Sequence, residues 1–300
     1  MSSSSSASDP PAPLVANNTP PTSFDALLPN EMARKAEEIG VKKANMDFWS
    51  KSGLAVLAGA FIALGAIYAT VAWTGVGDKI PWGWSRVVGG LAFSLGLILV
   101  VVGGAELFTG NNLIVMAWAS RRITSFQVLR DWVIVYLGNF VGSVATVVIV
   151  FWSQHFMADN GGVGLTALNI ALKKVHLSFG AALASGIMCN ALVCMAVWLC
   201  YSSRTAGGKI LAIIFPISAF VAAGFEHSVA NMYFVPTGIL IRQAAPAAFW
   251  GGISKAATDF GDLTWGNFLA HNLLPVTIGN IIGGAVMVGV VYWVIYLRKQ

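Results

Sequence analysis

The sequence predicts an all-α membrane protein with six transmembrane helices in two inverted three-helix halves, the second and fifth helices being broken. Three observations support this prediction. Of the 300 residues, 56% are hydrophobic and only 10% are charged, whereas about 25% are charged in an ordinary soluble domain. Uncharged apolar runs long enough to cross a membrane recur along the chain. Two polar motifs occur once in each half.

The chain begins with a polar segment and an amphipathic helix. Residues 1–22 are rich in Ser and Pro and lack the apolar centre of a signal peptide, so we expect a disordered tail. Apolar spacing over residues 25–44 predicts an amphipathic helix within the segment 23–51. Its alternating Lys, Arg and Glu residues predict a solvated helix lying on the cytoplasmic membrane face. Residues 52–300 are expected to form the transmembrane channel domain.

The predicted spans share an apolar composition and have Trp or Tyr near their ends, as membrane interfaces favour. They are residues 53–73, 87–120, 132–152, 178–201, 210–241 and 267–297, with a Gly- and Ala-rich loop at 243–266. The second and fifth runs have 34 and 32 residues. A span needs about 20, so each run is too long for one helix and short for two. We therefore predict that each is one crossing made of two helical pieces.

The two long runs carry the same polar frame, G-x-E-x-x-x-x-N. Its helix-break residues are Gly104, Glu106 and Asn111 in the second span, and Gly224, Glu226 and Asn231 in the fifth. A carboxylate at the centre of a membrane helix costs about 2.5–3.5 kcal/mol on the insertion scale. Unwound backbone at that depth must be buried in protein or line a water-filled cavity. Paired broken helices in corresponding halves indicate a transport site.

A second repeat supports the duplication. The motif G-N-x-x-G occupies residues 138–142 in the third span and 279–283 in the sixth. Three is an odd number of spans, so the two halves must be inverted relative to each other. With the N-terminus inside, 12 Lys and Arg residues, Lys51 among them, fall on the cytoplasmic side and 6 on the other. This bias predicts that both termini are cytoplasmic.

Each break starts a new half-helix, whose unpaired N–H groups and positive dipole end suit a small anion. The dipoles contribute about 1–2 kcal/mol, less than the cost of removing water from an anion. Thr109 and His227 are the candidate hydrogen-bond donors. A doubly donating imidazolium could also protonate a weak-acid anion. The alternatives are a structural histidine bonded to a carbonyl, and glutamates that only cap the half-helix starts.

Other classes of protein fit the sequence poorly. Basic residues lie at span ends and in the N-terminal segment, so the net charge of +5 requires no nucleic acid. Cys189, Cys194 and Cys200 lack C-x-x-C spacing and are expected to be packing residues. Glu226 and His227 are accompanied by no nucleophile or metal-ligand set, so neither an intramembrane enzyme nor a cofactor is expected.

The motifs G-x-E-L-F-T at 104–109 and G-F-E-H-S-V-A-N at 224–231 resemble those of the formate/nitrite transporter family. The stretch N-L-L-P-V-T-I-G-N-I-I-G-G in the sixth span and the leading L-L-P-x-x-M-A-x-x-A-E-x-x-G-V-x-K-A are similar to its formate-channel branch. The resemblance covers about residues 24–298. It implies an aquaporin-like protomer, a homopentamer with one pore per protomer, and a bacterial inner-membrane location. It also implies passage of formate and similar monovalent anions, among them nitrite, acetate, lactate and hydrosulfide.

The resemblance also implies roles for single residues. The family's mobile loop falls on Leu107, Phe108 and Thr109, and its central histidine is His227. The implied pore residues are the apolar constrictions Phe93, Leu97, Leu107, Phe220 and Val193, the polar Asn190, and the basic Lys174 at the outer mouth. From the residues alone, Phe93, Leu97, Phe108 and Phe220 favour core packing over a pore lining, because aromatic and Leu residues at helical spacing usually belong to the core. Glu106 stands where formate channels of this family carry Asp, and it has a longer reach.

Two functional alternatives remain open from the sequence. The same pore could serve mainly nitrite or hydrosulfide, because these anions differ little from formate in size and charge. A neutral-solute channel of aquaporin type also has broken helices in inverted halves. Such channels usually carry a repeated N-P-A signature at the breaks, and neither half of this chain has one.

Overall fold

The structure is a computed structural model that describes residues 26–77 and 80–298, and every regular element in these ranges is helical. The predicted disordered tail at 1–22 lies outside the described residues. In chain order the α-helices are α1 (Pro29–Ala44), α2 (Phe48–Trp73), α3 (Trp82–Gly103), α4 (Phe108–Asn111), α5 (Val115–Ala119), α6 (Ser125–Trp152), α7 (Gly162–Val175), α8 (Phe179–Ser202), α9 (Ala206–Ala223), α10 (Ser228–Ala244), α11 (Ala247–Gly252), α12 (Trp265–Asn267), α13 (Leu274–Ile281) and α14 (Val291–Tyr296). The 3₁₀ segment Asn112–Ile114 joins α4 to α5, and π-helical segments at Phe268–Leu273 and Ile282–Val290 join α12, α13 and α14.

Six helical segments within the described ranges are long and apolar enough to cross a membrane, which confirms the predicted number of spans. They are Phe48–Trp73, Trp82–Gly103, Ser125–Trp152, Phe179–Ser202, Ala206–Ala223 and Ala257–Tyr296. Five of them begin earlier than predicted, and in α2 and α6 polar residues cap the helix ahead of the apolar run. Asp47 accepts a hydrogen bond from the Ser50 N–H at the start of α2. Thr124 and Gln127 form a capping box at the start of α6.

Helices α7 and α11 lie where the sequence predicts only connections. α7 buries Ala167, Leu168, Ala171 and Val175 along one face, and Ala171 lies against Gly238 of α10. Its 14 residues are amphipathic and too short to span a membrane, so a search for long apolar runs passes over it. This helix carries Lys174 to the second break.

Helix α1 packs on the channel body. Met32, Ala33 and Ala36 are buried with Met116 and Trp198, and Gly40 lies close to Ala117. This differs from the solvated helix predicted from the alternating charges. The small Ala and Gly residues on one face of α1 allow close approach to α5, so the helix is covered by protein on that side.

Close backbone contacts hold the spans together in both halves. A Cβ on Gly142 of α6 would overlap the Val56 carbonyl of α2, and one on Gly283 would overlap the Ile187 carbonyl of α8. Both glycines end the repeated G-N-x-x-G motif. In lipid, helices associate through such small residues, because no hydrophobic driving force acts between them. The motif therefore places the third and sixth spans against α2 and α8.

Replacing Gly142 with Ala should destabilise the protein by about 1–3 kcal/mol, because the added methyl group overpacks the contact between α6 and α2. Thermal unfolding of the purified protein in detergent measures the effect. Gly53→Ala in α2 is the matched control, since no atom lies within 4 Å of a Cβ built there. Equal melting temperatures for the two variants would contradict the proposed close packing.

Candidate functional site

Two helical interruptions form the centre of the site. α3 ends at Gly103, and Gly104 is in the left-handed conformation with φ of +84° before α4 begins at Phe108. α9 ends at Ala223, and Gly224 has φ of +78° before α10 begins at Ser228. Glycine adopts these φ values without steric cost, which explains the first residue of the repeated frame. The first half-helix thus begins at Phe108, ahead of Asn111 at the end of the frame.

Two asparagines of the G-N-x-x-G motifs hold the interruptions in the same way. Asn139 Oδ1 accepts from the Phe108 N–H at 2.9 Å, while its Nδ2 donates to the carbonyls of Ala55 at 2.7 Å and Glu106 at 2.9 Å. The Phe108 N–H and the Glu106 carbonyl are groups that the interrupted helix leaves unpaired. Asn139 is fully buried. Its side chain thus replaces the missing helical hydrogen bonds of the first break.

Asn280 repeats this arrangement in the second half. Its Oδ1 accepts from the Ser228 N–H at 2.9 Å, and its Nδ2 donates to the carbonyls of Gly186 at 2.8 Å and Glu226 at 3.0 Å. The repeat is visible in the sequence, but a role for these asparagines is not. The sequence also predicts unpaired N–H groups at both half-helix starts. The first N–H group of each half-helix is instead taken by an asparagine.

The two break glutamates are buried and paired with lysines. Glu106 Oε2 lies 2.9 Å from Lys43 Nζ and accepts from Asn111 Nδ2 at 2.7 Å. Glu226 Oε1 lies 2.9 Å from Lys174 Nζ, and its Oε2 accepts from Asn231 Nδ2 at 2.7 Å. Both glutamates are 5% exposed. Their partners are side chains, whereas the alternative reading of the sequence expected them to cap backbone N–H groups.

Thr109 and His227 meet between the two breaks. Thr109 Oγ1 lies 2.9 Å from His227 Nε2, and both residues are buried. His227 Nδ1 accepts from the Ala230 N–H at 3.0 Å, so that nitrogen carries no proton in this arrangement. A neutral ring then has its proton on Nε2, which donates to Thr109 and leaves the threonine hydroxyl hydrogen free to donate. The doubly donating imidazolium expected from the sequence would require release of the Ala230 N–H.

Two cavities lie on either side of this pair. The first-break cavity has a volume of about 260 Å³ and is lined by Leu97, Leu107, Tyr201 and three basic residues, Lys35, Lys43 and Lys209, beside Glu106. The second-break cavity, of about 130 Å³, is lined by Phe93, Phe220, His227, Phe234 and three basic residues, Arg86, Lys173 and Lys174, beside Glu226. Basic residues outnumber acidic ones in the lining of both cavities. In the first-break cavity, burial together with the charges of Lys209 and Arg204 lowers the pKa of Lys35.

Apolar side chains separate the cavities. The rings of Phe93 and Phe220 meet edge to face with centroids 5.8 Å apart, and the Phe220 ring lies 5.9 Å from the His227 ring. Leu97, one helical turn after Phe93, lines the opposite cavity together with Leu107. All four apolar residues are at most 3% exposed. These four residues line one cavity or the other, and with Thr109 and His227 they form the apolar layer between the two cavities.

The remaining predicted residues lie in different surroundings. Asn190 donates to the Thr109 carbonyl at 3.2 Å and to the Asn280 carbonyl at 2.7 Å. Val193 is buried in α8. The Phe108 ring lies against Tyr136, with centroids 4.9 Å apart, and lines an apolar groove beside α6 rather than either cavity. Lys174 lies in the second-break cavity, held by Glu226.

Sequence reasoning missed several residues of the site. Lys51, counted as a cytoplasmic surface charge, is fully buried and lies 2.6 Å from Asp131. Arg86 donates to the carbonyls of Val221 and Ala222 near the end of α9, where the helix leaves carbonyl groups unpaired. Asn272 bonds to Asn231 and Glu226. Only Asn272 carried a signal, since it is a polar residue within a predicted span.

These features together define a polytopic membrane channel or transporter. Residues 30–294 match the family model described as Formate/nitrite transporter. The chain is 48% identical over 277 residues to formate channel FocA of Escherichia coli (strain K12), which covers 92% of this chain and 97% of that protein. It is 43% identical to formate channel FocA of Haemophilus influenzae, covering 88% and 93%. A solved structure titled "Pentameric formate channel with formate bound" superposes with a TM-score of 0.80 at 45% identity, covering 84% of this chain and 98% of that one.

The chain belongs to the formate/nitrite transporter family. The resemblance inferred from the break motifs is thereby confirmed, as is the six-span helical fold. Its relatives are named as channels and transporters, and not as enzymes.

Replacing Asn139 with Ala should destabilise the protein by about 1–3 kcal/mol or more, because it leaves buried backbone groups without partners. The Phe108 N–H and the Glu106 carbonyl lose their hydrogen bonds together, and the contact from α6 to the Ala55 carbonyl of α2 is lost as well. Asn280→Ala should have the same effect through the second break. The control is Asn45→Ala, which removes an exposed side chain bonded only near the surface. Melting temperatures of both variants that equal the control would contradict this role.

Proposed function

We propose that this protein is a bidirectional membrane channel for formate and related small monovalent anions. It lies in the inner membrane of a bacterium with both termini in the cytoplasm, and it assembles as a homopentamer. The names of its close relatives, formate channel FocA, and of the pentameric formate channel structure support the substrate and the assembly. The observation that carries the proposal is the pair of cation-lined cavities separated by Thr109, His227 and apolar side chains.

The charges in the cavities account for anion entry from either side. Each cavity is lined by three basic residues and one glutamate, and in each a lysine neutralises the glutamate. The remaining positive charge raises the local concentration of anions in a confined space. Cations are repelled by the same groups. This arrangement explains selection by charge and leaves size selection to the apolar layer.

At the apolar layer an anion loses water and gains the Thr109 hydroxyl as a donor. His227 Nε2 donates to Thr109 Oγ1, which strengthens the hydroxyl as a donor by polarisation. One hydrogen bond to a charged group contributes about 1.5–3 kcal/mol. This is less than the cost of moving a carboxylate into an apolar surrounding. A proton that neutralises formate would lower that cost.

His227 links the path to protons in this proposal. A protonated ring hands its Nε2 proton to Thr109, whose own hydroxyl proton passes to formate and gives neutral formic acid. The ring must first gain a proton at Nδ1, and this step releases the Ala230 N–H at the start of α10. Protonation is thus tied to a local change at the second break.

Purified protein in liposomes tests the main proposal. An inward gradient of labelled formate should drive uptake faster than in protein-free liposomes, and reversing the gradient should drive efflux. Absence of protein-dependent flux in both directions would reject a formate channel.

Thr109→Val should lower formate flux by about 10- to 100-fold, because the variant keeps the side-chain volume but loses the hydroxyl that is bonded to His227 Nε2. Initial uptake rates in liposomes at equal protein content measure the change. The matched control is Thr146→Val in α6, whose hydroxyl bonds to the Gly142 carbonyl away from the cavities. An unchanged rate for Thr109→Val would remove the hydroxyl from the mechanism.

His227→Asn should abolish the pH dependence of protein-mediated formate flux. In the native protein we expect flux to fall as pH rises, because the deprotonated ring has no extra proton to pass on through Thr109. The Asn amide does not titrate. Flux through protein-free liposomes is subtracted at each pH, since formic acid also crosses lipid. The same pH profile in both proteins would exclude His227 as the titrating group.

The substrate preference requires its own experiment, since the family model is described by both formate and nitrite. Nitrite and hydrosulfide are added in turn as competitors of labelled formate uptake. A formate channel should need a large excess of either competitor for half-inhibition. Half-inhibition by nitrite well below the formate concentration would favour nitrite as the main substrate.

A further inference from the structure

A buried ion pair lies behind the first break. Lys51 of α2 and Asp131 of α6 have no exposed side-chain surface, and Lys51 Nζ lies 2.6 Å from Asp131 Oδ1. The other carboxylate oxygen, Oδ2, accepts from Asn111 Nδ2 at 2.9 Å. Asn111 Oδ1 in turn accepts from Lys43 Nζ at 2.7 Å. The pair is therefore joined through Asn111 to the charges at the first break.

The second half has the same anchor without the charges. Asp131 stands eight residues before Asn139, as Asn272 stands eight before Asn280. Lys51 stands four residues before Ala55, as Ala182 stands four before Gly186, and these are the residues whose carbonyls bond to the two asparagines. Asn272 Oδ1 accepts from Asn231 Nδ2 at 2.7 Å. A neutral amide thus takes the place of the carboxylate, and an alanine takes the place of its counter-ion.

The charges matter because the first half-helix is shorter and less regular than the second. α4 has four residues and continues through the 3₁₀ segment Asn112–Ile114 into α5, whereas α10 has 17 residues of α-helix. Isolated helices shorter than about 12–15 residues are marginal, so this segment depends on outside contacts. Thr109 lies two residues before Asn111 within α4. Whatever fixes the Asn111 side chain therefore fixes the position of the Thr109 hydroxyl relative to His227.

Lys51 is needed for a second reason. Asn111 Nδ2 donates to two carboxylates, those of Glu106 at 2.7 Å and Asp131 at 2.9 Å. Two carboxylates that share one donor repel each other unless each has its own counter-ion. Lys43 neutralises Glu106, and Lys51 neutralises Asp131. Without Lys51 the shared arrangement would be lost.

We propose that Lys51 and Asp131 are positioning residues for Thr109, an inference that rests on the proposed function. A bond from an amide to a carboxylate is roughly twice as strong as one between neutral groups. The ion pair keeps Asp131 charged and therefore keeps this stronger bond to Asn111. The first break is held more firmly at its anchor than the neutral anchor of the second half would hold it.

The test replaces the charged anchor by a neutral one with the amide that the chain uses in its second half. The double variant Lys51→Met, Asp131→Asn carries the amide of Asn272 and fills the space of the fully buried Lys51 with an uncharged side chain of similar length. Its melting temperature should stay close to that of the native protein, because no buried charge is left unpaired and no large cavity is formed. Backbone hydrogen exchange of residues 104–111 should become about tenfold faster as the charge-assisted bond is lost. Residues 224–231 serve as the internal control and should exchange at the native rate.

Formate flux through the double variant should also fall by about tenfold, in step with the looser Thr109 position. Native exchange at 104–111 in the double variant would overturn the proposal, whatever its flux. Faster exchange with native flux would equally overturn it, since Thr109 would then not depend on the anchor. If native protein itself carries no formate, the proposed function fails, while the exchange experiment still decides how the first break is held.

Discussion

Every backbone group in an apolar surrounding needs a hydrogen-bond partner, and this requirement determines how the two interruptions are built. An interruption at residues 104–107 or 224–227 leaves N–H and carbonyl groups without helical partners. Asn139 and Asn280 each accept from the first N–H of a half-helix and donate to one carbonyl of the interruption. Each also donates to a carbonyl of a neighbouring intact helix, Ala55 of α2 or Gly186 of α8. A carboxamide is the one neutral side chain type that offers an acceptor and two donors together. Each break is therefore stabilised by an amide side chain from a neighbouring span.

Because these backbone groups already have hydrogen-bond partners, they are not free to bind an anion. Helix starts attract anions when their N–H groups are free, but here the first N–H of each half-helix is occupied by an asparagine and the Ala230 N–H by His227. In the proposed channel, recognition at the apolar layer then falls to side chains, above all the Thr109 hydroxyl. The lysines of the cavities would attract the anion in that proposal, and the apolar layer would form the barrier to its passage.

Much of this architecture could be predicted because two sequence motifs occur once in each half. The frame G-x-E-x-x-x-x-N located both interruptions to within a few residues, and G-N-x-x-G marked the spans that hold them. What could not be predicted were partners distant in the chain. Nothing in the sequence shows that Lys43 reaches Glu106, that Lys51 turns inward to Asp131, or that the Phe108 ring points away from the cavities. Such contacts depend on the rotation of each helix, which apolar periodicity does not specify when nearly every residue is apolar.

A comparison of the two halves shows what a path between them requires. Positions that shape the breaks are alike in the two halves. Gly104 and Gly224 adopt positive φ, and Glu106 and Glu226 each pair with a lysine. Asn139 and Asn280 each accept from the first N–H of a half-helix. Positions that face the middle differ, because Leu107 corresponds to His227 and Thr109 corresponds to Val229 within the aligned frames. Had both halves carried the imidazole, two titratable rings would lie side by side in an apolar layer, and a second proton would be disfavoured there. With one imidazole and one hydroxyl the halves form a single donor pair, so the structural repeat supplies the scaffold and its local asymmetry supplies the chemistry.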